Sequence, residues 1–585
     1  MKTWIREGGL SIKGAAAAAL AAAGLVACGG GGGGGSDGGG GGGGTTTLAL
    51  SGSAATGAAI ASGAVDAKCA TGSGSATTGS DGSYSIGISG GKLPCLLRVT
   101  SGSTVLHSAV AGSGSAAVGN LTPATQLIVA RLAAADPASY YTAFDATAAA
   151  AVTGAAIASA QAAVVATIRP AGVDFGTITD LIGGMLRPKV GSGTGDAYDQ
   201  LLDALAAHLT ASGITLGALS TAVATEAANL GNTTPGSGVA SLPPSLLLQP
   251  AASNCPALRS GTYRVINPTT SGVMADQFGT LALNASTLIT RDGGATTDNP
   301  VWTANGTCRY LTDGNTTDIV VSQAGVLAAR TSNGGSTRVL AWAIPEQSHT
   351  LDELAGDWNL LGLVHNNGTA AVYSAGAATL TLSATGAMSN VTACNNETTW
   401  SVTGADCVAA SGPLPTMRVN TAGGFDIVDA GSVTSRVFAY RSGSGELMMA
   451  SVDADGSFLF WTRKRTNVLP AVGATTASWN LYANAQLTST LAVDTSSNVI
   501  SSVDATAGSL LRQQTLSGQN FSRPETLFIN NPRNGYNFRV GGPVTTSIGT
   551  TVNVNEFTSL SMRGMGFSPL VQPGTKLFLF SATQP

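Results

Sequence analysis

The stretch Ala355–Leu363, AGDWNLLGL, has two counterparts in the C-terminal half of the chain: SGTYRVINP from Ser260 and ASWNLYANA from Ala477. The three look like one opening strand used three times. A second strand follows each: GTLALNAST, ATLTLSATG and STLAVDTSS. The first two units then share a Trp–Gly–Cys element, VWTANGTC ending at Cys308 and TWSVTGADC ending at Cys407, and later carry RVLAWA or RVFAYR. Asp453-Ala454-Asp455-Gly456 joins ELMMASV to SFLFWTRKR as a hairpin. The third unit diverges and lacks cysteine. A repeat of roughly one hundred residues is one small domain per unit. The reading is therefore three β units, 255–350, 351–470 and 471–585, each with enough short strands for an up-and-down barrel. A propeller with two blades per unit is the alternative, although no WD-type signature supports it.

Working outward, ELAGDWNLLG is similar to the Gly-x-Trp start of lipocalin-type barrels, which implies a barrel for these units. Upstream, TTPGSGVASLPPSLLLQP is a Pro/Gly/Ser linker within 232–254. Residues 121–231 turn helical. Thr122-Pro123 and Asp136-Pro137 are N-cap and first-turn pairs. DAYDQLLDALAAHLTASG places Tyr198, Leu201, Leu202, Leu205 and Leu209 on one face, and Ser212-Gly213 ends that helix. Ala146 to Ile168 carries no charge, yet it is mostly alanine. It reads as a packed bundle helix rather than a membrane span.

Residues 45–120 read as a small β domain, with Asp81-Gly82 a turn ahead of Tyr84-Ser85-Ile86. GAAIASGAVDAK, Thr77-Thr78 and DGSYSI resemble the carboxypeptidase-regulatory-like, or transthyretin-like, β-sandwich. That resemblance implies a structural or adhesive domain without catalysis of its own.

Residues 1–27 read as a targeting segment. Lys2, Arg6 and Lys13 precede the small apolar run GAAAAALAAAG, and Leu25-Val26-Ala27-Cys28 follows. This resembles the lipobox of bacterial lipoproteins. The resemblance implies cleavage before Cys28 and acylation of that residue, a stable membrane anchor because each buried methylene adds about 0.8 kcal/mol. Gly29 rather than Asp after the cysteine implies outer-membrane sorting. Residues 29–44, fourteen of them glycine, behave as flexible coil spanning about 20–25 Å. Segment 28–44 is an anchor and a leash.

Charged residues make up 10% of the chain and the net charge is −4. With no basic run, nucleic acid is not an expected partner. Besides Cys28 there are six cysteines, which in an oxidising compartment suggest disulfides. Fifteen connectivities are open; domain locality favours Cys69–Cys95, Cys255–Cys308 and Cys394–Cys407. With no Cys-x-x-Cys and only four histidines, neither a metal nor another cofactor is expected.

Catalytic motifs do not assemble. Gly87-Ile88-Ser89-Gly90-Gly91 satisfies Gly-x-Ser-x-Gly, but a strand rather than a helix follows it. His208 flanks the apolar stripe of its helix, and His107 lies in the β domain. His349 and His365 straddle the Gly356-Asp357-Trp358 strand near Asp352 and Glu353, where a base and a carboxylate could meet; solvated loop positions are the plainer reading. Asp453 and Asp455 resemble the start of a calcium loop, but Phe458 and Phe460 stand where oxygens are needed. Trp302, Trp342, Trp358, Trp400, Trp461 and Trp479 recur at equivalent repeat positions, as core packing requires. The expectation is a multidomain, mainly β protein: a small β-sandwich, an α-helical bundle and three barrel-like β units. It is expected to be non-enzymatic and anchored to the membrane through Cys28. Its β-rich surface would bind a glycan, lipid or protein ligand. A hydrolase of surface polymers with a site between β units, and an envelope assembly factor, are the rival classes.

Overall fold

The computed structural model describes residues 46–231, 241–269, 271–293, 299, 301–312, 317–332, 338–366, 372–489 and 493–585. The targeting segment, Cys28 and the glycine tract lie outside the described residues.

Strand Thr47–Ser53 buries Leu48 and Leu50 and leaves their neighbours exposed. It pairs antiparallel with Ser83–Ser89, which buries Tyr84, Ile86 and Ile88, and parallel with Ala116–Val118. A second sheet, in the order Ser73–Thr77, Ala64–Thr71, Lys92–Ser101, Thr104–Val110, completes a sandwich. Cys69 stands directly opposite Cys95 in this sheet, and the two form a disulfide. Asp81 makes its turn by accepting the amide of Ser83 at 3.0 Å, with Gly82 at φ +79°.

The helices start where their caps stand. Thr122, Asp136, Thr153 and Asp196 each accept a backbone N–H of the first turn, and Gly213 ends Ala197–Ser212 in the left-handed conformation. The uncharged run is two helices, Ala146–Ala151 and Gly154–Ile168, not one, because the side chain of Thr153 caps a new start. Leu127, Ile128, Leu201, Leu202 and Leu205 pack with Leu48, Leu50, Ile86 and Val99 in one core, so helices and sandwich cover each other. Among the described residues no single helix is long and apolar enough to cross a membrane.

Among the described residues the C-terminal half holds two nine-stranded sheets, the first of which takes in Thr488–Ser489 of the third unit, and a closed eight-stranded barrel. One rule generates all three. The opening strand pairs on one side with the second strand and on the other with the last. Gly261–Ile266 lies between Phe278–Asn284 and Arg338–Pro345, and Gly356–His365 lies between Tyr373–Leu382 and Phe458–Arg463. Thr475–Ala483 lies between Asp494–Asp504 and Leu577–Thr583. Among the described residues only the third unit closes completely; the first two are open, barrel-like sheets. Sheets of this size are not the four-stranded blades of a propeller. Disulfides Cys255–Cys308 and Cys394–Cys407 lie within the first and second units.

The strand Gly356–His365 is buried on both faces, so it reads as a continuous apolar run. Trp358, Leu360 and Val364 face one core with Met449 and Trp461. Leu361 and Leu363 face another, which all three units share. In that shared core Trp342 of the first unit lies 4.7 Å from Phe458 of the second, whose ring is 5.1 Å from Phe578 of the third. Gly362 is obligatory by proximity: a Cβ there would stand 2.1 Å from the carbonyl oxygen of Phe458 in the neighbouring strand. The barrel is further tied down by Tyr536, whose hydroxyl donates to the carbonyl of Leu360 at 2.7 Å.

Candidate ligand site in the closed barrel

Alternation along the barrel strands sorts side chains into two populations. In Thr475–Ala483, Ser478, Asn480 and Tyr482 line the lumen, while Trp479, Leu481 and Ala483 join the shared core outside. The last strand repeats this: Leu577, Leu579, Ser581 and Thr583 point inward, and Phe578, Phe580 and Ala582 outward. The wall is thus apolar outside, where the other units cover it, and largely polar inside. The cavity is about 660 Å³, within the range that holds a small organic ligand. Leu510, Leu527, Phe557, Leu570 and Leu579 form a separate apolar cluster within the barrel.

The polar lining is one connected network. Asp494 accepts from Asn480 Nδ2 at 2.9 Å and from the Tyr482 hydroxyl at 2.8 Å. Burial, followed by the charge of Asp494, drives the Tyr482 pKa well above that of a free phenol. Gln514 donates to Asn498 at 3.2 Å and accepts from Arg523 Nη2 at 2.6 Å. Behind them Glu525, its side chain fully shielded, gathers three guanidiniums. Arg512 donates through Nε at 2.9 Å and Nη2 at 2.7 Å, Arg539 Nη1 donates at 2.7 Å, and Arg523 Nε lies 3.3 Å away. Burial alone would raise the Glu525 pKa, but the charges of Arg512 and Arg539 outweigh it and hold the carboxyl below its usual value. Burial likewise lowers Arg539 to about 10, against the pull of Glu525.

This set was not singled out in the sequence. Its signal is long polar or charged side chains at a spacing of two, Arg512 with Gln514 and Arg523 with Glu525, in strands of a chain otherwise poor in charge. Spacing of two places such pairs on one face of a strand.

The residues that the sequence did single out do not converge. His349 and His365 sit at opposite ends of Gly356–His365, a strand roughly 30 Å long. His349 is not a solvated loop residue: its side chain is only 6% exposed. Its Nδ1 is 2.9 Å from Glu353 and its Nε2 3.0 Å from Gln347 Oε1, an oxygen that also accepts the Arg441 amide. Both ring nitrogens are thus occupied by partners within the protein. The bond to His349 is the main reason that Glu353 has a lowered pKa. A cavity of about 310 Å³ between the first and second units is lined in part by Arg264, Glu346, His349 and Asn420. There Arg264 is paired with Glu346. His365 lies edge-on to Tyr373, with its Nδ1 3.8 Å from Asp455. Asp453 and Asp455 form the expected hairpin, with Gly456 at φ +80°. His107 is buried, bonded to Gln126 and packed on Tyr141; burial lowers its pKa. His208 is half-buried on its helix. Ser89 ends a strand that leads directly into the next, Lys92–Ser101. The six tryptophans of the β units are all buried. Among the described residues no three His, Cys, Asp or Glu side chains are grouped as a metal site.

No family model and no curated protein matches the chain. Among solved structures, a DUF3598-family protein from Nostoc punctiforme aligns at 10% identity over 41% of this chain and 100% of its own, with a TM-score of 0.14. A structure titled as a surface lipoprotein aligns at 8% identity over 39% of this chain and 98% of its own, with a TM-score of 0.15. Scores at this level do not establish a shared fold, and the architecture above stands on its own strand pairing.

Proposed function

We propose that this protein is a non-enzymatic, lipid-anchored component of the bacterial cell envelope, held in the outer membrane through Cys28, and that the barrel lumen is its binding site for a small polar ligand. The observation that carries the reading is the lumen itself. It is a cavity of about 660 Å³ in which amides, hydroxyls and guanidiniums stand beside an apolar patch that includes Leu527, Phe557, Leu570 and Leu579, in a barrel whose outer wall is apolar where the other units cover it. A polar interior costs stability unless its groups are bonded, and here it occupies the one place that could have been an apolar core. The lipobox resemblance and the glycine leash support the anchor.

The chemistry on view supports binding over turnover. General catalysis needs a group poised to accept or release a proton. Glu525 is committed to three arginines, Asp494 to Asn480 and Tyr482, and His349 to Glu353 and Gln347. The purified full chain is expected to show no hydrolytic turnover on generic ester, peptide and glycoside substrates. Turnover lost in His349→Ala or His365→Ala would overturn the reading. Cys28→Ala is expected to leave an uncleaved or soluble form. If that variant enters the detergent phase as the parent does, the anchor is wrong.

A further inference from the structure

The lumen is not electrically neutral. Arg512, Arg523 and Arg539 face two carboxylates, Glu525 and Asp494, so one positive charge is left over. Surplus charge on half-buried and buried guanidiniums is only partly screened and favours an anionic partner. The donors are also in surplus. Each guanidinium carries five N–H groups. The internal bonds take Nε and Nη2 of Arg512, Nη2 of Arg523, and Nε and Nη1 of Arg539. Nη1 of Arg512, Nη1 of Arg523 and Nη2 of Arg539 take no part in these bonds and are the donors that can meet a carboxylate.

The rest of the lining is different in kind. Asn480, Ser496, Asn498, Gln514 and Ser559 are each nine-tenths or more buried. Amides and hydroxyls both donate and accept, so they complement a molecule with several hydroxyl groups. Asn480 already bonds Asp494 and Ser496, and Gln514 bonds Asn498, so a ligand seated along them must exchange those bonds for its own, which a hydroxylated molecule can do and an alkyl chain cannot. A dianion would exceed the single surplus charge.

We propose that the barrel lumen takes a small hydroxylated monocarboxylate of the sugar-acid class, its carboxylate against Arg512, Arg523 and Arg539 and its hydroxyl groups along the amide and hydroxyl lining. This rests on the lumen being a binding site, as argued above.

The test is calorimetric titration of the detergent-solubilised full chain with glucuronate, glucose, inorganic phosphate and decanoate, with binding mapped by hydrogen exchange on strands Ser509–Leu516 and Arg523–Ile529. Glucuronate is expected to bind and protect those strands. Glucose is expected to bind at least about tenfold more weakly, the loss of one charge-assisted contact. Arg523→Gln is expected to erase that preference and Arg523→Lys to restore part of it. Exchange of the ligand-free variants reports that the barrel is folded.

Equal binding of glucose and glucuronate in the lumen, unchanged in Arg523→Gln, would overturn the acid while leaving the lumen a binding site. Decanoate or phosphate protecting the strands better than glucuronate would overturn the sugar-acid class with the same consequence. No protection by any of the four would overturn this proposal and the lumen-binding reading together.

Discussion

Glu525→Gln is the sharpest test of how the barrel interior is held. The carboxylate is fully shielded, and both oxygens receive guanidinium N–H groups. Glutamine keeps the shape but removes the charge and turns one oxygen into an NH2 that faces donors. An NH2 in place of Oε2 loses the two charge-assisted bonds from Arg512, each worth about 1.5–3 kcal/mol, and one in place of Oε1 loses that from Arg539. Three arginines are left without a buried counter-charge. Both routes give a loss of about 3–5 kcal/mol, the size expected when one partner of a buried ion pair is removed. The assay is urea unfolding of the full chain, read by pulsed hydrogen exchange on strands Ser509–Leu516 and Arg523–Ile529. Local readout is needed because a chain of several packed units does not unfold in one step. The same pairing has a pH signature. Glu525 has a lowered pKa in the folded state, so its contribution is present above the unfolded value of about 4.3 and is lost as pH falls through the folded value. Acid should weaken the wild-type barrel and change the Gln variant less. A variant within about 1 kcal/mol of wild type at pH 7 would refute the view that Glu525 compensates the arginines.

Gly362→Ala is expected to cost about 3 kcal/mol or more, since its Cβ meets a strand carbonyl that cannot move; Gly279→Ala, where no atom lies within 4 Å of the new Cβ, is the neutral control in a urea titration. His107 is buried with a lowered pKa, so the unfolded chain takes up its proton first. Stability of the sandwich is expected to fall as pH drops below about 6.5 and to level off below the folded value. His107→Gln should flatten that part of the profile, measured as the urea midpoint of the sandwich strands.

The elements that were legible in the sequence are those whose signals are local. Caps at Thr122 and Asp136, the Asp81-Gly82 turn and the Asp453–Gly456 hairpin are each fixed by a few neighbouring residues. Thr153 carries the same kind of signal inside the uncharged run, where the absence of charge drew attention to length instead of caps. The opening strands were legible as repeats because each unit uses its first strand in the same way, between its second and its last. The lumen was not legible. ASWNLYANA shows its period of two plainly, but a period says only that Trp479 and Leu481 oppose Ser478 and Asn480. It does not say which set faces inward. That choice is made by Trp342, Phe458 and Phe460, which lie far away in the chain and offer the outward set its cover. The arginines were missed for a related reason. Arg512, Arg523 and Arg539 sit on three separate strands, and only closure of the barrel brings them to Glu525.

This arrangement has a consequence for residues 471–585. A free-standing soluble barrel of this size fills its interior with side chains and leaves its outer wall to water. Here Trp479, Leu481, Phe567, Phe578 and Phe580 are on the outer wall and buried against the other units. Burying a large apolar side chain contributes about 1.5–3 kcal/mol, so five contribute roughly 10 kcal/mol. That is comparable to the whole stability of an ordinary domain, while the polar lumen offers only the small Leu510–Leu579 cluster in return. The excised segment 471–585 should therefore lose most of its driving force and expose a contiguous apolar wall, which invites association. Size-exclusion chromatography and hydrogen exchange are expected to show it aggregated or unprotected at concentrations where the full chain is ordered. A monomeric fragment whose strands exchange as slowly as in the full chain would show that the lumen network holds the barrel together by itself, and that the shared core is not what makes a polar interior possible.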